Sequence, residues 1–338
     1  MTNLNEYLDR LYLDTDQAYA FREGADLKAW RSSLRGRFIE ALGGFPGQKA
    51  DLVPAVLERV EFDHYVREKV EITTYEHLRM PMYVLTPKGN PGPLPAVIVC
   101  HGHGYGAKEI LGLAPDGTPL EKDFGIYKRF AMEFVERGYL VIAPELLGFG
   151  ERRLEEDKEK PPKESSCTRL ATSLLMMGKT LGGYRVYETI RAIDYLMTRD
   201  DADPGRIGCT GISGGGLVSA FTSALDERIG AAVVSGYTNT FEDSIMSIRH
   251  CIDNYIPGIL ELAEMPDLIG LIAPRPLLIE AGRNDRIFPV KGVEKAYAKL
   301  VRIYEAVNAK ANLDLDLFEG GHEIGGAKQF DWFSRLNG

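Results

Sequence analysis

Apolar and polar positions divide the chain into three textures. From Leu4 to about Leu42 apolar residues recur at helical spacing, first as Leu8, Leu11 and Tyr12 and then as Leu27, Trp30, Leu34 and Phe38, until Gly43-Gly-Phe-Pro-Gly47 ends the pattern. Residues 60–67, 70–75 and 80–86 instead alternate charged with β-branched and aromatic side chains, as antiparallel strands with one wet face do. Beyond the turn-rich residues 88–93, short and nearly continuous apolar runs take over at 96–100, 140–143, 207–210, 231–235, 277–281 and 313–318. Helical patterns fill most of the gaps, at 124–137, 184–198, 215–225, 293–308 and 326–336.

Buried strands alternating with amphipathic helices predict an α/β fold, with a mostly parallel central sheet covered by helices on both faces. The antiparallel strands that precede it make the sheet mixed. The expected organisation is a helical extension over residues 1–56 packed on a main domain over 57–338, with residues 147–183 as an insertion bordering the site. No internal repeat or low-complexity tract is present; the charged residues 152–163 are the one linker-like segment. The N-terminal helices could cover the site or form a contact in a homo-oligomer, though plain packing explains them.

Composition narrows the picture. A formal net charge of −9 leaves no overall basic field to gather nucleic acid or an anionic membrane surface. No apolar run approaches the length of a membrane span, and the N-terminus has no basic segment leading into an apolar one. Cys100, Cys167, Cys209 and Cys251 form no C-x-x-C pair and no zinc-finger spacing, and Cys100 and Cys209 lie in apolar strand-like runs as small buried hydrophobes. A reducing, cytoplasmic setting is the natural expectation.

Open α/β sheets carry their chemistry at the carboxyl ends of the strands. After the strand at 207–210, Gly211-Ile-Ser-Gly-Gly215 fits G-x-S-x-G, which places Ser213 on a turn too sharp for bulky neighbours and makes it the candidate nucleophile. An exposed Gly/Ser turn would look similar, so the serine needs partners. His101-Gly-His-Gly-Tyr-Gly106 follows the first buried strand and can bring backbone N–H groups near a bound carbonyl. The expected oxyanion donors are the N–H groups of Gly214 and His103. A metal site on His101 and His103 is disfavoured, because no carboxylate or third histidine lies nearby in sequence; no metal and no cofactor is expected.

A serine hydroxyl needs a histidine to take its proton and a carboxylate to orient that histidine. His64 and His77 fall in the antiparallel region and His250 in an irregular segment, whereas His322 sits in a glycine-rich loop after the last strand. Asp285 follows the penultimate strand, so Ser213, Asp285 and His322 occur in the Ser, Asp, His order of G-x-S-x-G folds. Glu242, Asp243 and Glu323 are the reserve acids. Glu145, Met176, Met177, Tyr184, Tyr237, Tyr255 and Ile287 are candidates for a substrate pocket, with core packing or structural hydrogen bonding as the competing explanation. Glu151 is a weaker candidate of the same kind.

Six stretches together carry a family resemblance: Cys100-His-Gly-His-Gly, Gly178-Lys-Thr-Leu-Gly-Gly-Tyr-Arg-Val, Gly211-Ile-Ser-Gly-Gly-Gly, Asn254-Tyr-Ile-Pro-Gly258, Ala273-Pro-Arg-Pro-Leu-Leu and Gly282-Arg-Asn-Asp-Arg-Ile-Phe-Pro. In this order, over roughly residues 60–338, the chain resembles the α/β-hydrolases of the dienelactone hydrolase and acetyl xylan esterase-like group. The resemblance implies a metal-free serine hydrolase with the triad and oxyanion donors named above. Dienelactone hydrolases proper use a cysteine nucleophile; Ser213 moves the expectation to carboxylic esters, with a small-molecule ester such as an acetylated sugar as substrate. The alternatives are a peptidase of the prolyl-oligopeptidase type, against which stands an N-terminal segment far too short for a propeller, and a non-catalytic binding protein, against which stands the complete Ser, Asp and His set.

Overall fold

The computed structural model describes residues 3–90, 92–122 and 124–337. Two capped helices come first. Asn3 accepts the N–H of Asn5 at the start of α1 (Leu4–Leu13), and Asp26 accepts those of Lys28 and Ala29 at the start of α2 (Leu27–Ala41). The predicted stripe of α2 is the buried one: Trp30, Leu34 and Phe38 join the main core, and Phe38 meets Phe221 edge to face at 4.8 Å. Helix α1 buries none of its residues; the hydroxyl of Tyr12 ties it to Glu264 at 3.1 Å.

The strands are β1 (Ala55–Glu61), β2 (Tyr65–Tyr75), β3 (Leu78–Pro87), β4 (Leu94–Cys100), β5 (Leu140–Pro144), β6 (Ala202–Ile212), β7 (Ile229–Ser235), β8 (Leu277–Gly282) and β9 (Leu313–Phe318). The alternating stretch at 60–67 is therefore not one strand. It contains the turn between β1 and β2, closed by Phe62 N–H to Tyr65 O at 2.9 Å and by the two rings stacked at 4.5 Å. The loop at 88–93 joins β3 to β4, with Pro91 outside the described residues.

Among the described residues all nine strands form one sheet, in the order β1-β2-β3-β5-β4-β6-β7-β8-β9. The first three pair antiparallel, β3 pairs antiparallel with β5, and every pairing from β5 through β4 to β9 is parallel. Successive residues of β4 point to opposite faces, both apolar. Ala96, Ile98 and Cys100 enter the core under α2 and the helices after β5, and Val97 and Val99 enter the core on the other face. The chain steps from β4 to β5 on one side and to β6 on the other, so the crevice beside the end of β4 is the place where such a sheet opens to a ligand.

Between the strands run α3 (Ala107–Ile110), α4 (Phe130–Glu136), α5 (Cys167–Met176), α6 (Leu181–Leu196), α7 (Gly214–Leu225), α8 (Ile259–Leu262), α9 (Met265–Gly270) and α10 (Val290–Ala306), and α11 (Gln329–Trp332) follows β9. Helix α4 is shorter than the predicted 124–137, because Lys128 and Arg129 both take left-handed backbone at φ 49° and break the run. The predicted helix at 326–336 is reduced to α11 and a tighter turn, which buries Phe333 against Gly208 of β6. Among the described residues no helix is long and apolar enough to cross a membrane.

Candidate active site

Ser213 leaves β6 and opens α7 with φ 60° and ψ −125°, a left-handed conformation that a non-glycine residue holds only at a cost. The glycines around it are required by close backbone. A Cβ on Gly211 would lie 2.3 Å from Gly215 O, and one on Gly215 would lie 2.2 Å from Cys100 O. Gly102 packs as tightly from the other side: its Cβ would stand 2.8 Å from Ile212 O and 3.1 Å from the Ser213 Cβ. The loop after β4 is thus pressed against the serine. The N–H groups of His103 and Gly214 have no acceptor among the described residues, and that of Gly214 is one of the four that a helix start leaves unpaired.

His322 and Asp285 come together at the adjacent strand ends. Nδ1 of His322 lies 2.7 Å from Oδ2 of Asp285, while Oδ1 of Asp285 accepts the N–H groups of Ile287 and Phe288 at 2.7 and 3.0 Å. The ring of Phe288 stacks on the imidazole at 5.8 Å. The loop bearing His322 is held from beneath by Glu280 of β8, which accepts the N–H groups of Gly325 and Gly326 at 2.9 Å each and the hydroxyl of Ser235 at 3.0 Å. Burial raises the Glu280 pKa from its ordinary value, although the bonds from Gly326, Gly325 and Ser235 oppose it. The reserve acids are engaged elsewhere: Asp243 with Lys295 and Thr240, Glu242 with Lys295, and Glu323 with Lys128.

Ser213, His322, Gly214 and His103 share a cleft of about 830 Å³. Of the pocket candidates, Tyr255 and Ile287 line it. The other five do not, each for a physical reason. Glu145 is fully buried beneath the loop after β4, where it accepts the Ala107 N–H at 3.1 Å and where burial pushes its pKa up to about 8. Met176 and Met177 point into solvent at the end of α5, 89% and 65% exposed. Tyr184 stacks on Tyr75 at 4.5 Å, and Tyr237 is core packed behind Gly216. Glu151 faces away, paired with Lys69 at 2.6 Å. His101 is a structural histidine: Nδ1 bonds Gly102 O at 2.8 Å and Nε2 accepts the Leu146 N–H at 3.0 Å, with burial lowering its pKa to about 3.

The sequence model of the abhydrolase family matches residues 7–311, nearly the whole chain. This chain belongs to the abhydrolase family. A Bacillus subtilis (strain 168) protein named "Putative hydrolase YtaP" is 30% identical over 286 residues, covering 82% of this chain and 89% of its own. Among solved structures, an acetyl xylan esterase from Bacteroides fragilis NCTC 9343, itself named as putative, superposes with a TM-score of 0.79 at 20% identity, over 94% of this chain and 83% of that one. The glucuronoyl esterase of Solibacter usitatus follows at a TM-score of 0.67 and 16% identity, over 94% and 95% of the two chains. The sheet order and these superpositions make the architecture an α/β-hydrolase fold.

One wall of this abhydrolase's cleft has no counterpart in the motif reading. Cys167 opens α5, Cys251 precedes the turn at 252–254, and both line the cleft beside His103. Nη2 of Arg185 donates to the Cys167 sulfur at 3.1 Å, and the same guanidinium is ion-paired with buried Asp253. A hydrogen bond from Cys251 lowers the Cys167 pKa; burial opposes this, and Arg185 and His103 add to it. Cys251 is raised in turn. Burial works against protonation of His103, but Cys167 and Asp253 outweigh it and hold that pKa above the ordinary value. The residues stand far apart in sequence, and no spacing links them.

Proposed function

We propose that this abhydrolase is a serine carboxylesterase in which Ser213 attacks the ester carbonyl and His322 takes its proton. Asp285 holds the imidazole in the tautomer that leaves Nε2 free to accept. The N–H groups of Gly214 and His103 stabilise the oxyanion, and the alcohol leaves with the proton from His322. Water then attacks the acyl-enzyme by the same route and releases the acid. One observation carries this reading: the Asp285-bound imidazole, at 2.7 Å, lies on the same cleft as a serine held at φ 60° against the loop after β4.

The substrate class proposed is a small acyl ester of a sugar. The cleft is lined mostly by apolar side chains such as Ile126, Leu175, Ile248 and Phe288, and His250, Arg249 and Asn254 add polar groups that can bond a hydroxylated leaving group. The acetyl xylan and glucuronoyl esterases that share the fold support the class. A panel of acetylated xylosides, p-nitrophenyl esters of increasing acyl length and peptide amides tests the reading. Acetyl esters should be turned over fastest and peptide amides negligibly; amide cleavage that outpaces ester cleavage would replace the esterase with a peptidase.

A further inference from the structure

We propose that His103, Cys167 and Cys251 form a three-ligand site for a thiophilic divalent cation such as Zn²⁺, in the same cleft as the serine. The ligand atoms of these residues all lie within 4.8 Å of one another. A tetrahedral zinc ion with two thiolates and one imidazole holds its sulfurs about 3.8 Å apart and each sulfur about 3.6 Å from the nitrogen. The three side chains therefore need to close by no more than about 1 Å. Cys251 lies on a half-buried loop and Cys167 on the first turn of a helix, positions where side-chain rotation achieves this.

The surroundings favour a ligated thiolate. Arg185 donates to the Cys167 sulfur at 3.1 Å, and its own position is fixed by Asp253 and by Leu147 O at 2.6 and 3.0 Å. Such outer partners orient a ligand and tune its basicity. The charges also balance: two thiolates offset the dication, Arg185 offsets Asp253, and the protons of the thiols pass to solvent as the metal binds. The contrast with Cys100 and Cys209 is direct. Both are fully buried on the adjacent strands β4 and β6, in the apolar core, and they read as packing.

Three protein ligands leave a fourth position open. A Cβ on Gly214 would lie 3.5 Å from Cε1 and Nδ1 of His103, so an ion held by that ring sits beside the proposed oxyanion donors. Occupancy narrows the cleft next to Ser213 and competes with the ester. The site is thus a means of reversible metal inhibition, separate from the triad.

Cobalt titration of the full chain, kept reduced with a phosphine and freed of metal by chelation, tests the site without reference to turnover. One equivalent of Co²⁺ should give a thiolate charge-transfer band and intense tetrahedral visible bands, displaced by Zn²⁺. Cys167→Ser and Cys251→Ser, each checked for an unchanged fold by circular dichroism, should weaken binding by at least ~10-fold. Where an ester is turned over, Zn²⁺ should raise its KM in the wild type and EDTA should restore it. Absence of the charge-transfer band, or bands that persist undiminished in both serine variants, would overturn the proposal, whether or not the chain hydrolyses esters.

Discussion

The two walls of the cleft are built by different rules. Ser213, Asp285 and His322 each follow a strand of the parallel part of one sheet, so the strand order alone delivers them to a common edge. Their positions are protected by glycines that no larger residue could replace, as at Gly211, Gly215 and Gly102. The other wall brings together His103 from the loop after β4, Cys167 from the first turn of α5 and Cys251 from the irregular chain near it, backed by Arg185 near the start of α6. It is held by a buried Arg185–Asp253 ion pair rather than by backbone geometry. The first wall is local chemistry repeated at strand ends, and the second exists only once the tertiary structure has formed.

Substitutions should separate the two walls. The largest effect is expected from Asp285→Asn, which keeps the shape but sets the imidazole in the wrong tautomer and should lower kcat on the order of 10⁴-fold. Cobalt binding by His103, Cys167 and Cys251 should be unaffected in that variant; a parallel loss of both would mean that the walls are one unit.

A smaller effect, on stability, is expected from Arg185→Met. It strands a buried carboxylate and should cost about 3–5 kcal/mol in denaturant unfolding. The pH dependence fixes the sign. Burial alone would raise the Asp253 pKa, but Arg185 and His103 hold it below the ordinary carboxylate value. The stabilisation it gives is present above the pKa of an unfolded aspartate and is lost as pH falls through the folded value. The difference between wild type and Arg185→Met should therefore narrow on acidification; a gap independent of pH would show that lost packing, such as the Arg185 stack on Phe149 at 4.6 Å, dominates instead.

Much of the first wall is legible in the amino-acid sequence for a physical reason. Parallel strands buried on both faces read as short apolar runs, and residues just past them fall at one edge of the sheet. That is how His322, an otherwise ordinary loop histidine, stands out from His64, His77 and His250. The abhydrolase fold itself follows from the same alternation. Pocket residues are less legible, because exposure depends on how residues 147–183 fold back. Met176 and Met177 end α5 facing solvent while Cys167, nine residues earlier than the first of them, faces the cleft. The cysteines share no sequence motif, yet Cys167 and Cys251 meet in space. Ligands drawn from separate loops leave no period to find.

The central claim is that Ser213 is the nucleophile, and covalent labelling addresses it most directly. A fluorophosphonate probe followed by peptide mapping should place a single adduct on Ser213, with loss of ester turnover in proportion to labelling. An adduct on another residue, or full turnover after Ser213 is modified, would contradict the account.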